Sequence, residues 1–386
     1  MCRAWPDAGR PLNAPNAKKG SPHQPRGSAR LGPSFFAILK RDSAFSAAAT
    51  TMVAMPSLLL EDALVGPPAA ASPSSSSSCV TLTSDAEFWS LFEDERALGR
   101  GCFGTVLLVR PRAPTASASQ ATIAAKVVLA DDASAAIDEA TLLRSLSHPN
   151  IVRLHEVYAS ASTVFVLMAA ELGGDLHKRA EAAPGGVLTE AEAILPLSGV
   201  LAALHHLHAR HQIVHRDVKA SNVLLAADGV TAKLGDFGLA ARLPQGGRLT
   251  TVCGTHDFLA PEMIRTGHGE LSGYGSSVDI WAVGLMLHAL LLGDNPFERE
   301  TDIETLQAIL AGDYAPPADR QLSFEVRDLL SSLLVTEPAK RATAEDAAGH
   351  AWVVGGGSAK QPAPQPAADG RSLFQRMIWP RAIGVY

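Results

Sequence analysis

His215-Arg216-Asp217-Val218-Lys219-Ala220-Ser221-Asn222 places an acid, a lysine and an amide one, three and six positions after Arg216. Asp236-Phe237-Gly238 brings a second carboxylate shortly afterwards. An acid fixed in such a loop suits the receipt of a hydroxyl proton, with the lysine neutralising charge beside it. Any three of these residues recur by chance in many chains, but the joint spacing does not. His205, His206, His208 and His211 follow closely on one another. They have no carboxylate or cysteine partner at ligand spacing, so they read as helix-face residues and not as a metal site.

With those residues in place, the stretch resembles the catalytic loop and metal-binding segment of the eukaryotic protein kinase family, serine/threonine type. The resemblance implies that Asp217 accepts the substrate hydroxyl proton and that Lys219 neutralises the transferring phosphoryl group. It implies ATP and Mg2+ as cofactors, with Asn222 and Asp236 each holding an ion through the hard oxygen ligands magnesium prefers. Lys219 also points to Ser or Thr substrates. Arg216 would pair with a phosphate on Thr251, the expected activating site, where Arg248 three residues earlier suits an arginine-directed kinase, this one acting in trans included. Thr255 would bond Asp217 and Lys219 beside the substrate, while His256 departs from the family's usual proline. His215 has a structural place only.

Upstream, Leu98-Gly99-Arg100-Gly101-Cys102-Phe103-Gly104-Thr105-Val106 lies between two strand-like runs. Its glycines let a hairpin backbone close over phosphates. A dinucleotide site would need a helix directly after the glycines, whereas Val106-Leu107-Leu108-Val109 continues as a strand. By resemblance Val106 packs on adenine, Ala124 belongs to the same nucleotide site, and Lys126 grips the α- and β-phosphates. Glu139 is the expected partner of Lys126, because Glu139, Leu142, Leu143 and Leu146 recur at helical spacing and an acid on an apolar stripe needs a cation. Only twelve residues separate the two, a shortened connection, and Ala135 stands where many kinases carry a phosphate-reading base. Met168 would guard the back of the pocket, with the backbone from Ala169 through Ala170 to Glu171 facing adenine. Asp175 either reaches the ribose or a substrate arginine, or caps the helix after Gly174.

Three further motifs extend the likeness. Glu262 in Ala260-Pro261-Glu262 resembles the acid that pairs with a distant arginine, here Arg341. Asp279-Ile280-Trp281-Ala282-Val283-Gly284 resembles the buried helix that anchors the catalytic loop. Kinases of small molecules generally lack these, so a protein substrate is expected. Segments 171–176 and 274–284, with Asn295-Pro296-Phe297, look most similar to the calcium/calmodulin-dependent group, and 251–255 also to polo-like and Aurora types.

The expected architecture is α+β and bilobal, a small β-rich lobe with one main helix over a larger helical lobe. The boundaries are a disordered extension over 1–88, a kinase domain over 92–352 divided near 170, and a linker and tail over 353–386. Residues 1–60 hold eight Lys or Arg against two Asp or Glu, and 353–386 hold four against one, so the net charge of -6 comes from an acidic middle. That balance favours basic protein substrates and argues against nucleic acid. Four scattered cysteines outline neither a zinc site nor a disulfide framework, which fits a cytoplasmic or nuclear protein. The Arg- and Ser-bearing extension is alternatively an organelle transit peptide. No apolar run is long enough for a transmembrane segment. The tail around Arg371 to Arg381 is basic and aromatic, with calmodulin, the core's own cleft and a membrane surface as candidate partners, disorder being the simpler reading. Set against the transferase reading is a pseudokinase scaffold that binds nucleotide without transfer.

Overall fold

The computed structural model describes residues 79–101, 104–112, 122–315, 322–356 and 382–383. The first lobe is built on six strands: β1 (Val80–Thr81), β2 (Phe92–Gly101), β3 (Gly104–Pro111), β4 (Ile123–Leu129), β5 (Leu154–Ala159) and β6 (Thr163–Ala169). Their order across the sheet is β1-β5-β6-β4-β3-β2, antiparallel throughout except that β1 runs parallel to β5. Alternation along the strands divides the side chains between two faces. Ile123, Ala125, Phe165 and Leu167 pack on one, and Val128, Val164 and Val166 on the other.

Helix α1 (Asp85–Leu91) covers the first face, its Phe88 fully buried and stacked on Phe165 at 3.8 Å between ring centroids. Sequence alone assigned residues up to 88 to the extension; in the structure 79–91 form β1 and α1. Their signal was a single buried aromatic and a two-residue strand, too short for a periodicity to register. The other face receives α2 (Ala133–Arg144), which buries Ala136, Glu139, Ala140 and Leu143 at i, i+3, i+4 and i+7.

The second lobe is mainly helical. It contains α3 (Leu176–Ala182), α4 (Glu190–His205), α5 (Pro261–Gly267), α6 (Ser277–Leu292), α7 (Asp302–Ala311), α8 (Phe324–Leu333), α9 (Ala344–Ala348) and α10 (Ala351–Val354). Thr189 and Glu192 form a reciprocal capping box at the start of α4. That helix continues through one π turn, His206–His211, and stops at Gln212 in the left-handed conformation, φ 54°. Short pairs β7 (Ile213–Val214) with β10 (Ala241–Arg242), and β8 (Val223–Leu225) with β9 (Ala232–Leu234), frame the loops between them. A further strand, β11 (Gly254–Thr255), pairs antiparallel with β12 (Ala382–Ile383) near the end of the chain. None of the described helices is long and apolar enough to cross a membrane.

Helix α6 is buried from Val278 to Leu292, so it has no solvent face and no amphipathic pattern. Arg341 reaches it from the segment before α9. The guanidinium donates to both Glu262 carboxylate oxygens at 2.7 and 2.9 Å and to the Ser277 carbonyl at 2.7 Å, and lies 5.2 Å from the Trp281 ring centroid. Glu262 and Arg341 are both buried. Removing one member strands the other charge out of water, so Arg341→Ala should cost about 3–5 kcal/mol in urea unfolding. The pair Glu262→Met with Arg341→Met should cost distinctly less. Equal losses in the two variants would refute this account.

Candidate active site

The loop 215–222 enters between β7 and β8, and its shape is set by Asp279 of α6. One carboxylate oxygen accepts the Arg216 amide at 2.8 Å; the other accepts the His215 amide at 2.8 Å and lies 2.7 Å from His208 Nε2. Burial pushes Asp279 up, but the His208 hydrogen bond and the neighbouring His215 outweigh it and hold the carboxyl below its ordinary range. Arg216 is thereby kept at φ 68°, a left-handed backbone that costs a non-glycine residue about 1–3 kcal/mol. His215 Nε2 bonds the Gly235 carbonyl at 3.0 Å and its ring meets Phe237 edge-on at 4.9 Å. This matches the structural place expected for it.

Asp217 stands at the centre of the polar contacts. Its Oδ1 accepts from Thr255 Oγ1 at 2.7 Å, its Oδ2 pairs with Lys219 Nζ at 2.8 Å, and Asn222 Nδ2 donates to the same Oδ2 at 2.9 Å. Lys219 Nζ also donates to Thr255 Oγ1 at 2.8 Å, closing a triangle. Burial pushes the Asp217 carboxyl up, yet Lys219 and Thr255 together outweigh that and hold it below the usual carboxylate range. The group is ionised at neutral pH and can act as a proton acceptor.

Across the cleft, Lys126 Nζ lies 2.7 Å from Glu139 Oε2 and 3.5 Å from Asp236 Oδ1. Burial alone would lower the Lys126 pKa, but Glu139 and Asp236 more than offset it and hold the ammonium above the usual lysine range. Burial holds Glu139 up against the opposing pull of Lys126. The other Glu139 oxygen accepts the Phe237 amide at 3.3 Å, so the same carboxylate ties α2 to the Asp236 segment. The shortened connection before α2 therefore leaves the Lys126–Glu139 pair intact.

Between the lobes lies a cleft with a cavity volume of about 450 Å³. Leu98, Gly99, Arg100, Gly104 and Val106 form its upper wall. Pairing of Ala124 with Met168 and of Lys126 with Val166 puts Ala124, Lys126 and Met168 on one side of the sheet, and all three line the cleft. Ala170 does not: its amide donates to the Thr122 carbonyl at 3.0 Å, and the wall passes from Ala169 to Glu171. Gly101 closes the hairpin opposite Gly104; Cys102 and Phe103 lie outside the described residues. Asp175 takes the capping role, one oxygen accepting the Lys178 amide at 2.8 Å at the start of α3 and the other pairing with Lys178 Nζ at 2.8 Å, and it also lines the cleft. Leu224, Val152, Arg96 and Lys178 also line the cleft and were not among the residues the sequence singled out for it. Leu224 did carry a signal, as the middle residue of a three-residue strand whose neighbours face the core.

Residues 92–353 match the protein kinase domain. The chain belongs to the protein kinase family. It is 35% identical to human serine/threonine-protein kinase DCLK3 over 302 residues, covering 74% of this chain and 45% of that protein. Similarity to rat calcium/calmodulin-dependent protein kinase type 1B is also 35%, over 69% of this chain and 76% of the relative. Aurora/IPL1-related protein kinase 2 of Caenorhabditis briggsae is 32% identical over 68% and 83% respectively. Relatives of comparable identity thus come from several groups of serine/threonine kinases, and no single group stands apart.

Use of ATP with Mg2+ is typical of the family, and the donors here suit that ion. Asp236 offers a carboxylate whose side chain is 45% exposed toward the cleft it lines, held at φ 55°. Asn222 commits its amide nitrogen to the Asp217 main-chain and side-chain oxygens at 2.8 and 2.9 Å, which leaves the amide oxygen as its ligand atom.

Replacing Glu139 by Gln removes the charge that offsets burial of Lys126. The affinity for a fluorescent ATP analogue should fall by about tenfold or more, and the unfolding midpoint should fall as well, because the buried Lys126 ammonium loses its nearest counter-charge. Unchanged affinity would mean that the pair does not organise the nucleotide cleft.

Proposed function

We propose that the chain is a serine/threonine protein kinase that transfers the ATP γ-phosphoryl group to Ser or Thr hydroxyls of protein substrates. The observation that supports this most directly is the ionised Asp217, bonded at once to Lys219, Thr255 and Asn222 within 2.9 Å. Phosphoryl transfer requires little covalent chemistry from the protein and depends on positioning and on neutralising charge. Asp217 orients the incoming hydroxyl and receives its proton. Lys219 screens the charge shifting beside it, and Thr255 fixes both side chains. Lys126, oriented by Glu139, would hold the α- and β-phosphates. Asp236 and Asn222 would hold Mg2+, which when bound neutralises phosphate oxygens.

The rival reading, a nucleotide-binding scaffold without transfer, has its best support in the shortened connection before α2. A Lys126–Glu139 distance of 2.7 Å with Asp236 3.5 Å from the same ammonium supports transfer instead. Preference for protein over metabolite substrates is supported by the Glu262–Arg341 pair and the Asp279-anchored loop, which the family's protein-directed members carry. Basic residues around the phosphosite remain the expected substrate chemistry, given the acidic middle of the chain.

Radiolabelled transfer from ATP to a degenerate Ser/Thr peptide library tests activity and residue preference together. Wild type should label it, and Asp217→Asn should lower kcat by about 10²–10⁴. Labelling that survives in Asp217→Asn would sink the assignment. A second check uses pH. Because Lys219 helps to hold the Asp217 pKa down, Lys219→Met should raise it, moving the acid limb of the residual kcat/KM profile to higher pH. An unmoved limb would show that Asp217 is not the titrating group.

A further inference from the structure

Between Asp236-Phe237-Gly238 and α5, the segment 249–255 runs past the catalytic loop, and one phenol holds it there. Tyr274 is 1% exposed, and beside Cys253 of that segment its hydroxyl meets two further partners. It donates to the Thr251 carbonyl at 2.5 Å and accepts from Arg216 Nη1 at 3.3 Å. The remaining reach of Arg216 is used by Nε, which donates to the Leu239 carbonyl at 2.6 Å. Main-chain bonds reinforce the contact, since Leu249 and Tyr274 exchange amide and carbonyl at 3.0 and 2.9 Å.

Two glycines make this approach possible. A Cβ on Gly273, at φ 143°, would meet the Leu249 carbonyl oxygen at 2.6 Å, and one on Gly254, at φ 109°, would meet the Arg216 carbonyl oxygen at 2.6 Å. The segment is thus pressed against Gly273 at one end and Arg216 at the other. Thr255 follows directly, with its hydroxyl on Asp217 and Lys219.

We propose that Tyr274 is a positioning residue for the reaction: its hydroxyl joins Arg216 to the Thr251 backbone and orders segment 249–255 while the Thr251 side chain is unmodified. Thr251 contributes its carbonyl to this link, not its hydroxyl. A phosphate on Thr251 would therefore add to an ordered segment and not create the order. Burial pushes the phenol up to about 12, so the donor proton is present across the physiological range. The consequence for catalysis passes through Thr255, four residues beyond Thr251, and rests on the kinase reading above.

The test compares Thr251→Ala with Tyr274→Phe and Gly273→Ala, each built in the Thr251→Ala background so that no phosphate at that position contributes. Hydrogen–deuterium exchange of amides 249–254 is read beside that of α6, independently of any enzymatic activity. The parent Thr251→Ala should exchange like wild type. Tyr274→Phe and Gly273→Ala should each raise exchange in 249–254 by about tenfold or more while α6 is unchanged. Should Tyr274→Phe not fold, Gly273→Ala reads the same contact from the backbone side. In peptide phosphorylation, Tyr274→Phe should lower kcat by about tenfold with a smaller effect on the KM for ATP. Exchange in 249–254 that stays at the parent level, or that rises equally in α6, would overturn the proposal. So would Thr251→Ala alone loosening the segment as far as Tyr274→Phe does. Absence of any transferase activity in wild type would count against the kinase reading and leave the exchange comparison to decide this one.

Discussion

A carboxylate with 1% exposure inside the second lobe, Asp279, governs the geometry of the loop that carries Asp217. An ionised acid so deep is tolerable only if its lone pairs are filled, and the available donors are two consecutive main-chain amides and one imidazole. Meeting that demand forces Arg216 into a left-handed backbone. The next residue is Asp217, so the strain is converted into the direction in which its carboxylate points. Helix α6, apolar on every side, supplies the rigid mount.

The same logic recurs where the two lobes meet. Glu139 lies on the buried face of α2, an unfavourable place for an acid until Lys126 and the Phe237 amide reach it. One carboxylate thus couples the sheet, the helix and the Asp236 segment. Breaking any of these contacts leaves a buried charge or amide unpaired, which favours the closed arrangement over partly open ones.

Segment 249–255 illustrates a different principle. Its order comes from main-chain pairing, one phenol hydroxyl and two glycines that admit close approach. No single one of these is strong, but they act at successive residues of one short stretch and end on Thr255. The stretch is held to the catalytic loop by the sum of weak, directional contacts, while the cleft is held by charge.

From sequence alone, the joint spacing around Asp217, the glycines before Val106 and the helical period carrying Glu139 identified the kinase architecture and named polar residues that the fold brings together around the cleft, because the expected chemical tasks demand particular side chains at particular separations. Residues whose role depends on shape were not legible in the same way. Leu224 and Val152 line the cleft as ordinary apolar side chains, and α1 joins the sheet through the buried ring of Phe88. Tertiary structure alone decided that Ala170 turns its amide to Thr122, that Asp175 caps a helix at the cleft's edge, and that Tyr274 joins Arg216 to Thr251. Each is a contact between segments far apart in the chain or a choice among several hydrogen-bond partners. Local periodicity carries no information about either until the chain is packed.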